Sequence, residues 1–237
     1  MRKPFKFKQF TIYQDRCAMK IGTDGVLLGA WSNISNSPES ILDIGTGTGI
    51  IGLMLAQRCY SEPIDAIEID GDAFEQCVEN FEASPWADRL FCYHASLDEF
   101  LDEVDDKYDL IISNPPFYSE EVSSGDSARD LARQNRSLPF NLLLKGVSEL
   151  LSENGIFTLV IPYKEEKNVL KEALKHGLYP ARLMRVKGNP DSEVKRSLME
   201  FHFNNSEVLI NELIIEKSRH EYTEDYINLT KDFYLKM

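Results

Sequence analysis

Residues 41–49 read I-L-D-I-G-T-G-T-G, a short apolar run that leads directly into three closely spaced glycines. An apolar run of this length beside a turn signal indicates a buried strand. Glycine permits a tight turn and lets a ligand approach the backbone. The composition of residues 50–58 is typical of a helix. The stretch therefore predicts a strand, a ligand-binding glycine loop and a helix.

Strand and helix signals alternate along the rest of the chain. The further predicted strands are 64–69, 90–93, 108–113, 155–161, 181–186 and 197–203, and the further helices are about 72–82, 138–151 and 164–175. A C-terminal helix is indicated by the helical spacing of Tyr222, Tyr226, Leu229 and Phe233, which we interpret as core residues. This alternation predicts an α/β fold with a mostly parallel, seven-stranded sheet and helices on both faces. Sheets of this kind bind ligands at the carboxyl ends of their strands.

The composition bounds the class of protein. The chain has 237 residues, of which 43 % are hydrophobic and 27 % charged, as in ordinary soluble proteins. We see neither an internal repeat nor a low-complexity linker. We therefore predict a single domain over residues 1–237, composed of an N-terminal segment (1–39), a core (40–203) and a C-terminal extension (204–237).

Membrane, disulfide and metal classes are not favoured by the sequence. The first residues lack the apolar region of a signal peptide, and no apolar run approaches the roughly 20 residues that span a bilayer. The four cysteines and four histidines are scattered without ligand spacing. We expect a cytoplasmic monomer with free thiols, no membrane partner and no metal site.

The net charge of −13 argues against a protein that coats nucleic acid without specificity. Two local basic clusters nevertheless occur, within residues 2–8 and residues 182–196. Charge alone favours solvated surface for both clusters, with contact to substrate phosphates as the alternative.

An acidic residue follows the glycine loop at an informative distance. Glu68 ends the second predicted strand in A-I-E-I-D, about twenty residues past the glycines, where a carboxylate can accept hydrogen bonds from ribose hydroxyls. Asp70 lies two residues further on, near the expected position of the base. No lysine of a nucleotide triphosphatase follows the glycines. The residues predict an adenosine-type ligand, held by a nicotinamide dehydrogenase or an S-adenosylmethionine enzyme.

Residues 113–118, S-N-P-P-F-Y, end the fourth predicted strand. Taken alone, the prolines could simply terminate it. In the order I-L-D-I-G-T-G-T-G, A-I-E-I-D and N-P-P-F, however, the chain resembles the Rossmann-like class I S-adenosylmethionine-dependent methyltransferases. Its N-P-P-F form is similar to that of enzymes that methylate planar nitrogens.

The N-P-P-F tetrad suits the chemistry that this resemblance implies. The lone pair of an exocyclic amine is delocalised into its ring, so the nitrogen is a poor nucleophile. The Asn114 side-chain carbonyl and the Pro115 backbone carbonyl can accept its two N–H groups and favour a freer lone pair. Pro115 and Pro116 hold these acceptors rigidly, and Phe117 can stack on a flat substrate.

The chain ends carry a more specific resemblance. K-I-G-T-D-G-V-L-L-G-A-W before the glycine loop and H-E-Y-T-E-D-Y-I-N-L-T-K-D-F-Y near the C-terminus are similar to the bacterial tRNA1(Val) (adenine(37)-N6)-methyltransferase family. The resemblance implies methyl transfer from S-adenosylmethionine to N6 of adenosine 37 in the anticodon loop of valine tRNA. An unpaired base there flips into a pocket at a cost of a few kcal/mol.

The same resemblance assigns site residues. Met19, Lys20 and Thr23 would close over the methionine part of the cofactor, while Asp43, Gly45, Gly47, Glu68, Asp70 and Asn114 would contact the rest of it. Ser96 stands where relatives commonly have an acid that meets the adenine amine, and a serine hydroxyl can still accept a hydrogen bond. Lys6, Lys8, Arg133, Arg185 and Arg196 would contact the tRNA.

Other functions remain open at this stage. Methyltransferases of release-factor glutamine and of guanine N2 in ribosomal RNA share the N-P-P-F form, although the former usually carry a larger N-terminal domain. A non-catalytic adenosine- or RNA-binding module is the alternative from another class.

Overall fold

A computed structural model of the chain describes residues 3–116 and 138–237. In chain order its strands are β1 (Phe5–Lys6), β2 (Thr11–Ile12), β3 (Ile41–Ile44), β4 (Ile64–Glu68), β5 (Leu90–His94), β6 (Tyr108–Ser113), β7 (Leu151–Pro162), β8 (Tyr179–Lys187), β9 (Val194–His202), β10 (Leu209–Ile214), β11 (Glu216–Ser218) and β12 (Glu221–Tyr222). The helices in the described ranges are α1 (Thr23–Trp31), α2 (Ile50–Arg58), α3 (Gly71–Glu82), α4 (Leu97–Glu103), α5 (Phe140–Leu150), α6 (Glu166–Lys175) and α7 (Glu224–Thr230), with a 3-10 turn at Tyr163–Glu165.

The central sheet has the strand order β10-β8-β9-β7-β6-β3-β4-β5. Strand β9 is antiparallel to its neighbours β7 and β8, and the other neighbouring pairs are parallel. The chain leaves β3 toward β4 and later returns to β6 on its other side. This change of direction creates a crevice at the carboxyl ends of β3 and β6, where ligands bind in such folds.

The predicted mostly parallel sheet is confirmed, but it has eight strands and not seven. The additional strand, β10, pairs in parallel with β8. Its sequence, L-I-N-E-L-I, lacks strict alternation, and Leu209 and Ile210 are 58 % and 53 % exposed. A half-exposed edge strand gives neither the buried-run pattern nor the alternating pattern that sequence reading detects.

Two helices were absent from the sequence prediction. Helix α1 contains Gly25 and Gly29, which lower helix propensity. Gly29 is needed for packing, because a Cβ there would lie 2.9 Å from the sulfur of Met54 on α2. Helix α4 begins with a capping box, in which Ser96 and Glu99 satisfy each other's backbone N–H groups. That S-x-x-E signature was readable in the sequence.

Helices cover both faces of the sheet, as predicted. One hydrophobic core lies under α1, α2, α3 and α7, and the other lies under α4, α5 and α6. Side chains of successive strand residues alternate between these cores, so both faces of the central strands are buried. None of the helices within residues 3–116 and 138–237 is long and apolar enough to cross a membrane.

Candidate active site

The glycine loop between β3 and α2 turns in the left-handed region of backbone space. The φ angles of Gly45, Gly47 and Gly49 are 72°, 58° and 79°, which L-residues with a side chain rarely adopt. A Cβ at Gly45 or Gly47 would have no atom within 4 Å, whereas one at Gly49 would lie 2.6 Å from the Phe81 ring. The first two glycines leave space for a ligand, and the third allows close packing.

Glu68, at the carboxyl end of β4, fixes this loop from the neighbouring strand. One carboxylate oxygen accepts a hydrogen bond from Gly47 N at 2.8 Å, and the other accepts one from Asp70 N at 2.9 Å. A carboxylate has about four acceptor positions. Glu68 can therefore hold the loop and still accept hydrogen bonds from ligand hydroxyl groups.

Asp43, on β3, holds the glycine loop by a hydrogen bond. Its side chain is fully buried, and one oxygen accepts the Thr46 hydroxyl at 2.6 Å. The other oxygen has no hydrogen-bond partner among the described residues. Burial raises the pKa of Asp43 to about 7, although the Thr46 hydrogen bond opposes this shift.

A cavity of about 340 Å³ opens above the carboxyl ends of β3, β4 and β6. The glycine loop and Glu68 line one side of it, and residues 113–116 line another. The Ser113 hydroxyl donates to Ile44 O at 2.9 Å and so joins the ends of β6 and β3. The fold thus brings the glycine loop and Asn114 to one cavity, although almost 70 residues separate them in the chain.

Residues 17–22 line the cavity as well, and hydrogen bonds tie the residues just before them to α3. The amide of Asn80, which is 1 % exposed, accepts Tyr13 N and donates to Tyr13 O and Thr48 O at 2.8–2.9 Å. Gln76 accepts Arg16 N at 3.2 Å. Sequence reading missed these two anchors. Both residues are polar but stand on the face of the amphipathic helix α3 that should be buried. A buried polar side chain needs a hydrogen-bond partner, so this pattern could have identified them.

Comparison with known proteins identifies the family. Residues 24–177 match the model of the methyltransferase small domain family. A curated tRNA1(Val) (adenine(37)-N6)-methyltransferase of Christiangramia forsetii is 60 % identical, over 99 % of both chains, and one of Bacteroides fragilis is 47 % identical, over 100 % of both. The chain belongs to this methyltransferase family.

The same fold occurs in distant solved structures. The crystal structure of a predicted O-methyltransferase from Agrobacterium tumefaciens superposes with a TM-score of 0.67, over 89 % of this chain and 96 % of the other. The two sequences are only 16 % identical, so this similarity shows the fold alone.

The cofactor of this methyltransferase is S-adenosylmethionine, and the cavity fits it. Backbone at Gly45 and Gly47 is open to a ligand, and the Glu68 carboxylate can accept the ribose hydroxyls. The volume lies within the roughly 300–1,000 Å³ of small-molecule pockets. When bound, S-adenosylmethionine supplies an electrophilic methyl group.

Other predicted cofactor residues lie around the same cavity. Asp70 and Ser96 line it and cap α3 and α4, where they accept hydrogen bonds from Ala73 N at 3.0 Å and Glu99 N at 3.2 Å. The Ser96 hydroxyl also donates to the Glu99 carboxylate at 2.8 Å. One lone pair of that hydroxyl remains for a ligand donor.

The three cofactor residues predicted in the N-terminal region lie at different places relative to the cavity. Met19 lines the cavity and is 55 % exposed. Lys20 also lines it, but its ammonium donates to the backbone carbonyls of Gln14 and Cys17. Thr23 begins α1. Thr23 and Asp43 are not among the described residues that line the cavity, so their cofactor contacts stay predictions.

Several predicted tRNA-binding cations have intramolecular partners. Arg185 pairs with Glu166 at 2.7 Å and Arg196 with Asp24 at 2.7 Å. The Lys8 ammonium donates to two C-terminal backbone carbonyls, including that of Met237 at 3.1 Å. These contacts anchor the side chains, and their role toward RNA stays a prediction.

Three further predictions concern other positions. Lys6 is exposed on β1. Phe117 and Arg133 lie outside the described residues, so their roles also stay predictions.

Within the part of the chain that the structure describes, no group of three or more His, Cys, Asp or Glu side chains could hold a metal ion.

Proposed function

We propose that this methyltransferase transfers the methyl group of S-adenosylmethionine to N6 of an adenine in tRNA, with adenosine 37 of valine tRNA as the target. The observation that carries the proposal is the presence of Asn114-Pro115-Pro116 in the cavity that also contains the glycine loop. The names of the relatives that match over the full chain support the choice of substrate.

Asn114 and Pro115 bind the amine in this proposal. The side-chain oxygen of Asn114 and the backbone oxygen of Pro115 accept the two N–H groups of the adenine amine. The nitrogen then becomes more pyramidal, and its lone pair is less delocalised into the ring. Proline fixes its own φ angle and restricts the backbone of the residue before it. The acceptors are therefore in place before the base enters, which lowers the cost of reaching the transition state.

Neighbouring groups hold Asn114 in position. Ser113 is fully buried and bonded to β3, and Pro115 is also buried. Helix α1 packs beside Asn114, since a Cβ at Gly25 would be in ordinary van der Waals contact, 3.7 Å from the Asn114 amide nitrogen. The half-buried Asn114 thus follows a strand end that is bonded to β3 and lies beside α1, which supports its proposed role as a positioned group.

The test is nucleoside mass spectrometry of unmodified tRNA incubated with the protein and S-adenosylmethionine. We expect N6-methyladenosine with the wild type and a loss of at least about 100-fold in rate for Asn114→Ala. The matched control is Asn211→Ala, on the exposed edge strand β10, which should be fully active. Calorimetry should show that all three proteins bind S-adenosylmethionine.

Other outcomes separate the alternatives. If cofactor binds but tRNA gains no methyl group, the tRNA proposal is wrong, and release-factor glutamine and guanine N2 of ribosomal RNA become the substrates to assay. If none of these substrates is methylated, a non-catalytic binding module is favoured. Retention of full activity by Asn114→Ala would refute the role of its side chain.

A further inference from the structure

Most cations of the 182–196 cluster are neutralised within the protein. The pairs are Arg182 with Glu200, Arg185 with Glu166, Lys187 with Glu212 and Arg196 with Asp24. Lys195 and the nearby Lys164 are exposed, and neither ammonium group has a hydrogen-bond or ion-pair partner among the described residues. The charge of these two lysines is therefore available to a ligand.

Tyr163 lies between the two lysines at the carboxyl end of β7. It directly precedes Lys164. The last residue pair between β7 and β9 joins Pro162 to Arg196. Tyr163 directly follows Pro162, and Lys195 directly precedes Arg196, so both adjoin this pair. Tyr163 is 38 % exposed. An accessible aromatic ring thus lies close in the fold to two lysines whose ammonium groups have no partner in the described part of the chain.

A buried carboxylate holds this ring in place through an arginine. The guanidinium carbon of Arg185 lies 5.5 Å from the centroid of the Tyr163 ring. Glu166, which is 4 % exposed, accepts from Arg185 at 2.7 and 3.3 Å and also accepts the Ser197 hydroxyl. Such a two-point ion pair fixes the guanidinium plane, which in turn restricts the ring. A restricted ring loses little entropy when a ligand stacks on it.

The ring is at the same edge of the sheet as the proposed catalytic residues. Strand β7 is parallel to β6, whose carboxyl end leads to Asn114. An aromatic ring with adjacent free lysines is the combination that binds unpaired nucleotides, because the ring stacks on a base and the ammonium groups attract phosphate. With a net charge of −13, the protein needs such local cations to attract RNA.

We infer that Tyr163, Lys164 and Lys195 form a platform that binds one unpaired nucleotide of the RNA beside the target adenine. The base stacks on Tyr163, and its phosphate lies near the lysines. The inference rests on the proposed RNA substrate and adds a binding contact outside the cofactor cavity. Because stacking does not read base identity, the platform contributes affinity and position, not sequence choice.

The test measures tRNA affinity and steady-state kinetics of Tyr163 variants. We expect Tyr163→Ala to weaken tRNA binding roughly 5- to 100-fold, to raise KM for tRNA and to leave kcat at saturating tRNA unchanged. Tyr163→Phe should retain wild-type affinity, because its ring still stacks. Lys195→Gln should reduce the slope of log affinity against log salt by about 0.7–0.9, the value for one phosphate contact.

The opposite edge of the sheet offers a matched control. Tyr60 is 98 % exposed, and the Arg89 guanidinium carbon lies 5.9 Å from its ring centroid. It precedes the amino end of β4, far from the cavity in the fold. Tyr60→Ala should therefore bind tRNA as the wild type does. Equal losses for Tyr60→Ala and Tyr163→Ala would overturn the inference.

Failure of the platform and failure of the proposed function give different results. If the wild type produces N6-methyladenosine but Tyr163→Ala keeps its tRNA affinity and KM, the platform alone is refuted. If tRNA is bound but not methylated, the proposed function fails, and the binding comparison still tests the platform. If Tyr163→Ala does not fold, Lys195→Gln decides, and an unchanged salt dependence counts against the platform.

Discussion

The two ends of the strands in the central sheet differ in how much space they leave for a ligand. At the amino edge, side chains close the loops: Asp109 accepts Glu39 N at 3.0 Å and the Ser152 hydroxyl at 2.8 Å, and buried Arg89 donates to Ser61 O at 2.9 Å. At the carboxyl edge, the backbone of the glycine loop is open to the cavity. Glu68 holds that loop by hydrogen bonds, so loops are fixed at both ends of the strands, and the carboxyl ends also leave space for a ligand.

Two buried aspartates on adjacent strands allow the two ends to be compared, one beneath the ligand-binding loop and one away from it. Asp43 lies beneath the glycine loop, where it accepts from Thr46, whereas Asp65, near the amino end of β4, accepts from the Tyr108 hydroxyl at 2.7 Å. Each has one buried oxygen without a hydrogen-bond partner in the described part of the chain. Burial raises the pKa of both carboxyl groups, that of Asp43 to about 7.

The largest expected effect is on the pH dependence of stability. Because the folded state binds the Asp43 proton more tightly than the unfolded state, the free energy of unfolding should fall as the pH rises from about 4 to about 7. The slope for one group is about 1.4 kcal/mol per pH unit. Asp43→Asn removes this contribution, so its stability should decrease less over that range in urea denaturation.

Asp65→Asn sharpens the comparison. Its effect should have the same sign, since burial also raises this pKa, but should be smaller, because Asp65 is 6 % exposed and Asp43 is not exposed. Identical pH profiles for the wild type and Asp43→Asn would contradict the raised pKa.

An intermediate effect is expected from two glycines with the same backbone conformation. Gly47 and Gly177 have φ angles of 58° and 73°, and a Cβ at either would meet no atom within 4 Å. Alanine at each site should therefore cost a similar ~1–2 kcal/mol of stability, the penalty for a left-handed residue that has a side chain. Only Gly47→Ala should also weaken binding of S-adenosylmethionine, because its Cβ would project into the cavity. Calorimetric titration of both variants checks this, and equal cofactor affinity would show that the loop is not in contact with the ligand.

The smallest effect concerns two helix caps. Ser96 caps α4 at the cavity, and Thr223 caps α7 away from it. Alanine at either position should cost about 1 kcal/mol of stability. Ser96→Ala should also weaken cofactor binding by roughly 2- to 10-fold, the value of one neutral hydrogen bond. If cofactor affinity is the same in both variants, the Ser96 hydroxyl serves only the helix.

Local motifs were readable because their chemistry is local. The glycine loop, Glu68 at the end of the next strand and Asn-Pro-Pro after the fourth strand were placed correctly, since each depends on a strand and the turn that follows it. Strand β10 and helix α1 were missed because β10 is half exposed and α1 contains two glycines. Helix α4 was missed although its capping box was readable, and the two- and three-residue strands β1, β2, β11 and β12 are too short for a periodic signal. The prediction of a seven-stranded sheet was wrong because the half-exposed strand β10 was missed.

The sequence by itself determined the family, the order of the elements and the residues at the carboxyl ends of the strands, because backbone preferences and hydrophobic periodicity act over a few neighbouring residues. Only the tertiary structure decided which charges are free. Arg196 forms an ion pair with Asp24, 172 residues earlier in the chain, and Arg185 forms one with the buried Glu166. The ammonium groups of Lys164 and Lys195 form no ion pair with any of the described residues. Ion pairs form through space and depend on how strands and helices are packed, so a list of basic residues does not show which of them can bind RNA.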